Sequence, residues 1–148
     1  MHVSRDVDVA APPEKLWDTL WDVSRMVTCL PGCTEAREVE PHRRYAAKMS
    51  QRMGPITLSV PLDVTVSRAV APSSLALEAR GRDPLLGANV TMTVALDVTP
   101  RAGGSRLHIE ADGKILGKLG ALGHGMIQRK GEELIDEFGA RLRRVVEG

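Results

Sequence analysis

The sequence predicts an α+β fold in which one antiparallel sheet lies against a long C-terminal helix. Apolar and polar residues alternate over residues 56–66 and again over residues 90–98, which is the period of a strand with one buried face. From about Ala121 to Val146, apolar residues recur instead at the spacing of an amphipathic helix. Each of these elements has one apolar face, so we expect the sheet and the helix to bury these faces against each other.

The start of the chain predicts one strand and two short helices. Residues 3–9 alternate, and Pro12-Pro13 then supplies the fixed φ angle and missing N–H that suit a first helical turn. Ser24 is the expected N-cap of a second short helix, which Pro31-Gly32 ends. The apolar stripe of the first helix comprises Leu16, Trp17, Leu20 and Trp21.

An antiparallel meander is expected between these helices and the last one. Gly54-Pro55 and residues 102–105 mark tight turns, and Pro61 predicts an edge strand or a bulge because proline cannot donate to a ladder. The chain therefore reads as strand, two short helices, about six strands and a long helix, in a single domain of residues 1–148. A sheet this long curls, so we expect a cavity between the sheet and the last helix. The weaker strands cover residues 45–53, 75–79 and 107–111.

Composition excludes several classes of function. Lys and Arg total 20 against 19 Asp and Glu, a formal net charge of +1, which argues against binding nucleic acid through a basic surface. No apolar run reaches the roughly 18 residues that a membrane span requires, and the N-terminus lacks the apolar core of a secretory signal. We therefore predict a cytoplasmic protein that contacts a membrane, if at all, peripherally at the inner face.

No catalytic residue, cofactor or metal site is predicted. Cys29 and Cys33 flank a Pro-Gly turn, and no second Cys or His pair has ligand spacing, so a structural role is favoured over a redox switch. The histidines are scattered without an evident orienting partner, as expected for solvated surface residues. They are His2, His42, His108 and His124.

The inward face of the predicted sheet is aliphatic and rich in methionine, which suits a long flexible apolar ligand or, alternatively, a filled core. Gln51 and Arg5 share the parity of buried neighbours, so each needs a polar partner, a ligand head group or access to solvent. Gln51 and Tyr45 are candidates for orienting a head group. The predicted ligand-binding residues are Tyr45, Met49, Gln51, Met53, Leu62, Leu77, Met92, Val94, Leu96, Ile109, Met126 and Phe138.

Two segments are expected to form the rim of a portal. Residues 83–87 place two leucines in a turn, and residues 116–125 combine leucines at threefold spacing with four glycines, each of which costs a helix about 1 kcal/mol. The alternative is that the glycines allow close packing on the sheet. The predicted portal residues are Leu85, Leu86, Leu116, Leu119 and Leu122.

Several segments together resemble the CoxG family of carbon monoxide dehydrogenase subunits, within the START-like, Bet v 1-like (SRPBCC) superfamily. They are residues 11–17 (APPEKLW), 29–33 (CLPGC), 53–56 (MGPI) and 117–123 (GKLGALG). The resemblance extends over nearly the whole chain. It implies a helix-grip fold, in which a curved seven-stranded antiparallel sheet wraps around the C-terminal helix and encloses an apolar cavity.

The resemblance also implies a function. Members of the family accompany molybdenum hydroxylases and link them to the membrane, and a quinone, another lipid or a fatty acid is the implied ligand. Larger members continue into a linker and an apolar anchor; this sequence ends at Gly148, and peripheral contact is the expectation here. We therefore predict an accessory protein that binds a hydrophobic small molecule without transforming it. Two alternatives remain: a polyketide cyclase or aromatase of the same fold, and a protein-binding accessory with a filled core.

Overall fold

The computed structural model describes residues 1–117 and 123–148, which form one antiparallel sheet of seven strands and three helices. The order of the strands across the sheet is β1-β7-β6-β5-β4-β3-β2. This is the predicted α+β helix-grip architecture. The elements are β1 (His2–Val9), α1 (Pro13–Trp21), α2 (Val23–Val27), β2 (Cys33–Glu40), β3 (Arg44–Met53), β4 (Ile56–Val70), β5 (Ser74–Asp83), β6 (Ala88–Arg101), β7 (Gly104–Leu116) and α3 (His124–Glu147).

The concave face of the sheet forms the core. Along β4, Leu58, Val60, Leu62 and Val64 are buried while the residues between them are exposed, which confirms the period-2 prediction. α1 begins with Pro13 as expected and buries its apolar stripe, with the Trp17 and Trp21 rings stacked at a centroid distance of 5.8 Å.

Three local predictions were wrong. α2 begins at Val23 with Asp22 at its N-cap position, so Ser24 lies inside the helix. β4 lies between β3 and β5, so Pro61 is not on an edge strand, and the irregularity in β4 falls at Val66. Pro61 is tolerated because the β4–β5 pairing begins only at the following residue, Leu62, so no ladder hydrogen bond is lost there.

The helix α3 packs mainly against β1 rather than against the centre of the sheet. Two of its glycines are buried at this contact: a Cβ on Gly139 would lie 2.9 Å from Val7 Cγ2, and one on Gly131 would overlap the side chain of Met1. Arg5 Nε also donates to Asp136 Oδ1 of α3 at 2.7 Å. Close packing therefore accounts for Gly131 and Gly139, and Arg5 reaches a partner at the edge of the sheet.

Candidate ligand-binding site

The placement of α3 over β1 leaves the concave face near β5 and β6 thinly covered. Ala79, Met92 and Val94 face inward there but are only partly buried. The short helix α2 and the turn after it lean over this region and enclose a cavity of about 70 Å³, which we call the α2 cleft. Its wall contains no polar side chain other than a thiol. The lining residues are Met26, Val27, Leu30, Cys33, Leu62, Val64, Leu77, Ala79, Met92, Val94, Ile135 and Phe138.

A second cavity of about 60 Å³ lies under the first half of α3, and we call it the Gln51 cleft. Its wall is also largely apolar, with the Gln51 amide and the Lys130 side chain as its polar members on the concave side. Met92 lines this cleft as well as the first one. The lining residues are Met1, Met49, Gln51, Met53, Leu58, Val90, Thr91, Met92, Gly113, Lys114, Ile115, Ile127, Lys130, Gly131 and Leu134.

Eight of the twelve predicted ligand-binding residues line one of these clefts. Five of them, Leu62, Leu77, Met92, Val94 and Phe138, surround the α2 cleft. Met49, Gln51 and Met53 line the Gln51 cleft. The remaining four, Tyr45, Leu96, Ile109 and Met126, belong to neither wall: the first three are buried in the core, and Met126 packs near the turn at Gly54.

The α2 side of the first cleft was missed by the sequence prediction. Met26, Val27 and Leu30 come from a five-residue helix and its following turn, and inward parity is defined only for strands. An apolar run that continues across residues 26–30 is the one signal in the sequence that points to this cover.

The buried Gln51 amide is held by the backbone of the turn after α2. Gln51 is 5% exposed, and its Nε2 donates to the carbonyl oxygen of Pro31. The backbone N–H of Ser50 donates to the Gly32 carbonyl at 2.9 Å, so two hydrogen bonds fasten this turn to β3. Gly32 has φ 80°, and a Cβ there would overlap Ser50, so the turn requires glycine.

Tyr45 is buried at the opposite end of β3. Its hydroxyl donates to Glu38 Oε2 at 3.2 Å, and burial together with this carboxylate raises the pKa of Tyr45 to about 12. The phenol is therefore neutral at physiological pH and engaged with β2, away from both clefts.

The two cysteines are free thiols and both are buried. Burial raises the pKa of Cys33, which lines the α2 cleft, to about 11, and burial also raises the pKa of Cys29. A high thiol pKa leaves little thiolate at neutral pH, which favours the structural interpretation over a redox role.

The turn between β5 and β6 presents a leucine to solvent. Asp83 is buried, and its Oδ1 accepts hydrogen bonds from the backbone N–H groups of Leu85 at 3.0 Å and Leu86 at 3.2 Å. Leu86 packs back on the core, whereas Leu85 is 93% exposed and Leu116 is 62% exposed. The predicted portal residues Leu119 and Leu122 lie outside the described residues.

The histidines differ in environment. On the outer face, His108 Nδ1 lies 2.6 Å from Asp6 Oδ1 and Nε2 lies 2.7 Å from Glu110 Oε1, and these hydrogen bonds raise the pKa of His108. His2 lies 2.7 Å from Asp112 in the same array, and His42 stacks on Trp21. A position on the outer face keeps this array apart from the clefts.

A model of the CoxG family of carbon monoxide dehydrogenase subunits matches residues 6–147. The chain belongs to this family. The CoxG family assignment agrees with the resemblance found in the sequence and connects the protein with carbon monoxide dehydrogenase. No curated protein matches the chain.

Solved structures share the fold over almost the whole chain. A conserved protein of Geobacillus kaustophilus is 20% identical with a TM-score of 0.82, covering 98% of this chain and 93% of that one. A Chromobacterium violaceum protein is 13% identical with a TM-score of 0.71, covering 100% and 99%. A Thermus thermophilus protein is 13% identical with a TM-score of 0.70, covering 99% and 97%. At these identities the likeness establishes the fold alone.

Within the described residues, no helix is long and apolar enough to cross a membrane. In the same part of the chain, no group of three or more His, Cys, Asp or Glu side chains is placed to hold a metal ion.

Proposed function

We propose that this CoxG-family protein binds a hydrophobic small molecule, a lipid, a quinone or a fatty acid, between its sheet and α3, and that it serves a molybdenum hydroxylase without transforming the ligand. The observation that carries the proposal is the α2 cleft. Its wall is aliphatic and sulfur-containing, and three of its inward residues, Ala79, Met92 and Val94, are incompletely covered by protein. Covering such surface with an apolar ligand is favourable by about 25 cal/mol per Å².

The cleft must widen to hold a ligand of this class. A volume of about 70 Å³ is well below the roughly 300–1,000 Å³ of ligand pockets. Two methionines of the wall, Met26 and Met92, have flexible unbranched side chains that repack at small cost. α2 has five residues and no side-chain hydrogen bond at its N-cap, so it is the weakest cover over the cleft.

The same proposal includes a portal at the end of the sheet where Leu85 and Leu116 are exposed. Leu116 directly follows Ile115, a wall residue of the Gln51 cleft, so the exposed leucines lie next to the interior. Arg82 and Lys114, which flank them on β5 and β7, are exposed. Apolar side chains flanked by cations suit contact with an anionic membrane surface, from which a lipid could pass into the clefts.

Ligand binding is tested by filling the α2 cleft. In Ala79→Trp the new indole occupies the cleft, whereas in Ala95→Trp, on the neighbouring strand, it projects from the outer face. Calorimetric titration with oleic acid and with decylubiquinone should show binding of at least one probe to the wild type and to Ala95→Trp, and none to Ala79→Trp. Equal binding by both variants would contradict the proposed site, and failure of both probes with the wild type would contradict the function.

Membrane contact is tested by placing a charge on the portal. Sedimentation with vesicles of equal parts phosphatidylcholine and phosphatidylglycerol should retain the wild type and lose Leu85→Asp. Val70→Asp is the matched control because Val70 is also exposed but lies at the opposite end of β4–β5. If both variants sediment like the wild type, Leu85 does not contact the membrane.

A further inference from the structure

Met92 occupies a special position among the cleft residues. Within the described residues, it is the side chain that lines both the α2 cleft and the Gln51 cleft. It lies in the middle of β6 on the concave face, paired with Ala79 of β5 and Gly113 of β7. Each of these neighbours has little or no side chain, so the space beside Met92 is open on both flanking strands.

The two clefts are arranged end to end along α3. The Gln51 cleft is lined by helix residues 127–134 and the α2 cleft by helix residues 135 and 138. Along β6 the corresponding wall residues are 90–92 and 92–94. At 1.5 Å per helical residue, residues 127–138 extend over about 16 Å. The combined space is therefore long and narrow.

Neither cleft is large enough by itself. A cavity of roughly 150 Å³ accommodates benzene, and each cleft here is less than half that size. Any ligand with more than a few carbon atoms must therefore pass Met92.

We propose that Met92 is a movable partition, and that displacement of its side chain joins the clefts into one chamber for a single unbranched apolar chain. This inference rests on the proposed function and specifies the shape of its ligand. Methionine has three rotatable side-chain bonds and a polarisable thioether, so it can swing aside and still pack against the chain. Because Met92 is only partly buried, its displacement breaks few core contacts.

The two ends of the chamber differ in polarity, which orients the ligand. The Gln51 amide nitrogen is used by Pro31, and in the described part of the chain no donor reaches the Gln51 oxygen. That oxygen accepts hydrogen bonds, so it fits a donor such as a hydroxyl. The α2 end presents aliphatic and sulfur atoms only. The polar end of the ligand therefore lies at Gln51, and its tail crosses Met92 towards α2.

A homologous series of straight-chain primary alcohols, from hexanol to hexadecanol, tests the partition. Wild-type affinity should rise about fourfold per methylene for the short members, as expected for burial of CH₂ groups. Met92→Ala should bind the long members about tenfold more tightly than the wild type and leave the short ones unchanged, because nothing has to be displaced. Met92→Ile, which is β-branched and stiff, should lose affinity for the long members alone.

Met49→Ala is the matched control. It removes the same atoms from the wall of the Gln51 cleft without joining the two clefts. Its affinities should change by one common factor at every chain length. If Met92→Ala and Met92→Ile also change all lengths by a common factor, Met92 is not the partition. If no alcohol binds the wild type, the proposed function itself fails. Should Met92→Ala not fold, Met92→Ile and Met49→Ala still separate these outcomes.

Discussion

The contact between α3 and β1 fixes the position of the helix over the sheet, and Gly139→Ala tests it. The added Cβ would lie 2.9 Å from Val7 Cγ2, closer than side chains approach. Overpacking of this kind costs about 1–3 kcal/mol, while alanine gains about 1 kcal/mol over glycine inside a helix. We expect a net loss of about 1 kcal/mol in the free energy of unfolding, measured by urea denaturation with linear extrapolation.

A double-mutant cycle isolates the cause. In a Val7→Ala background the clash is absent, so Gly139→Ala should become stabilising by up to about 1 kcal/mol, which gives a coupling of about 2 kcal/mol between the two sites. Gly125→Ala on the exposed first turn of α3 is the control and should stabilise in either background. If Gly139→Ala has the same effect with Val7 and with Ala at position 7, the close approach of α3 to β1 is refuted.

Three further predictions concern single side chains. Asp83→Ala should lower the free energy of unfolding by about 2 kcal/mol and accelerate amide exchange at Leu85, with Asp83→Asn less affected, because the carboxylate accepts the hydrogen bonds of the β5–β6 turn; unchanged exchange at Leu85 would contradict this. The pKa of His108 is raised above its ordinary 6.5, so its stabilising contribution is complete below that pH and disappears as the pH rises through the higher folded value; stability profiles of wild type and His108→Gln that coincide above pH 6 would contradict it. Cys33, with its pKa near 11, should react with iodoacetamide at pH 7.5 much more slowly than an unhindered thiol, and more slowly still when a probe fills the α2 cleft; an unhindered rate would show that the thiol is not buried.

The regular strands and the long helix could be predicted from the sequence because their apolar residues have one period and one buried face. β2 could not, and only the family resemblance implied it. Cys33 is its one buried residue, its pairing with β3 is interrupted by two register shifts, and it lies at the edge of the sheet, so alternation is absent from its sequence. The prediction at Pro61 was wrong for a related reason: the length of the β4–β5 ladder is a tertiary property.

The candidate site was predicted in part for the same reason. Strand parity identified the wall that the sheet contributes, including Met92 and Gln51. It could not show that α2 covers this wall, that the partner of Gln51 is a carbonyl 20 residues earlier in the chain, or that one methionine would separate two clefts. Each of these depends on how distant segments meet.

Native mass spectrometry of the intact purified protein, followed by analysis of its organic extract, tests most directly whether the interior holds a hydrophobic molecule. We expect a non-covalent adduct of one apolar molecule per chain, present in the wild type and in Ala95→Trp and missing from Ala79→Trp. A wild-type protein that carries no adduct, and acquires none after incubation with oleic acid, decylubiquinone or the alcohol series, would contradict the proposal that this interior binds ligands.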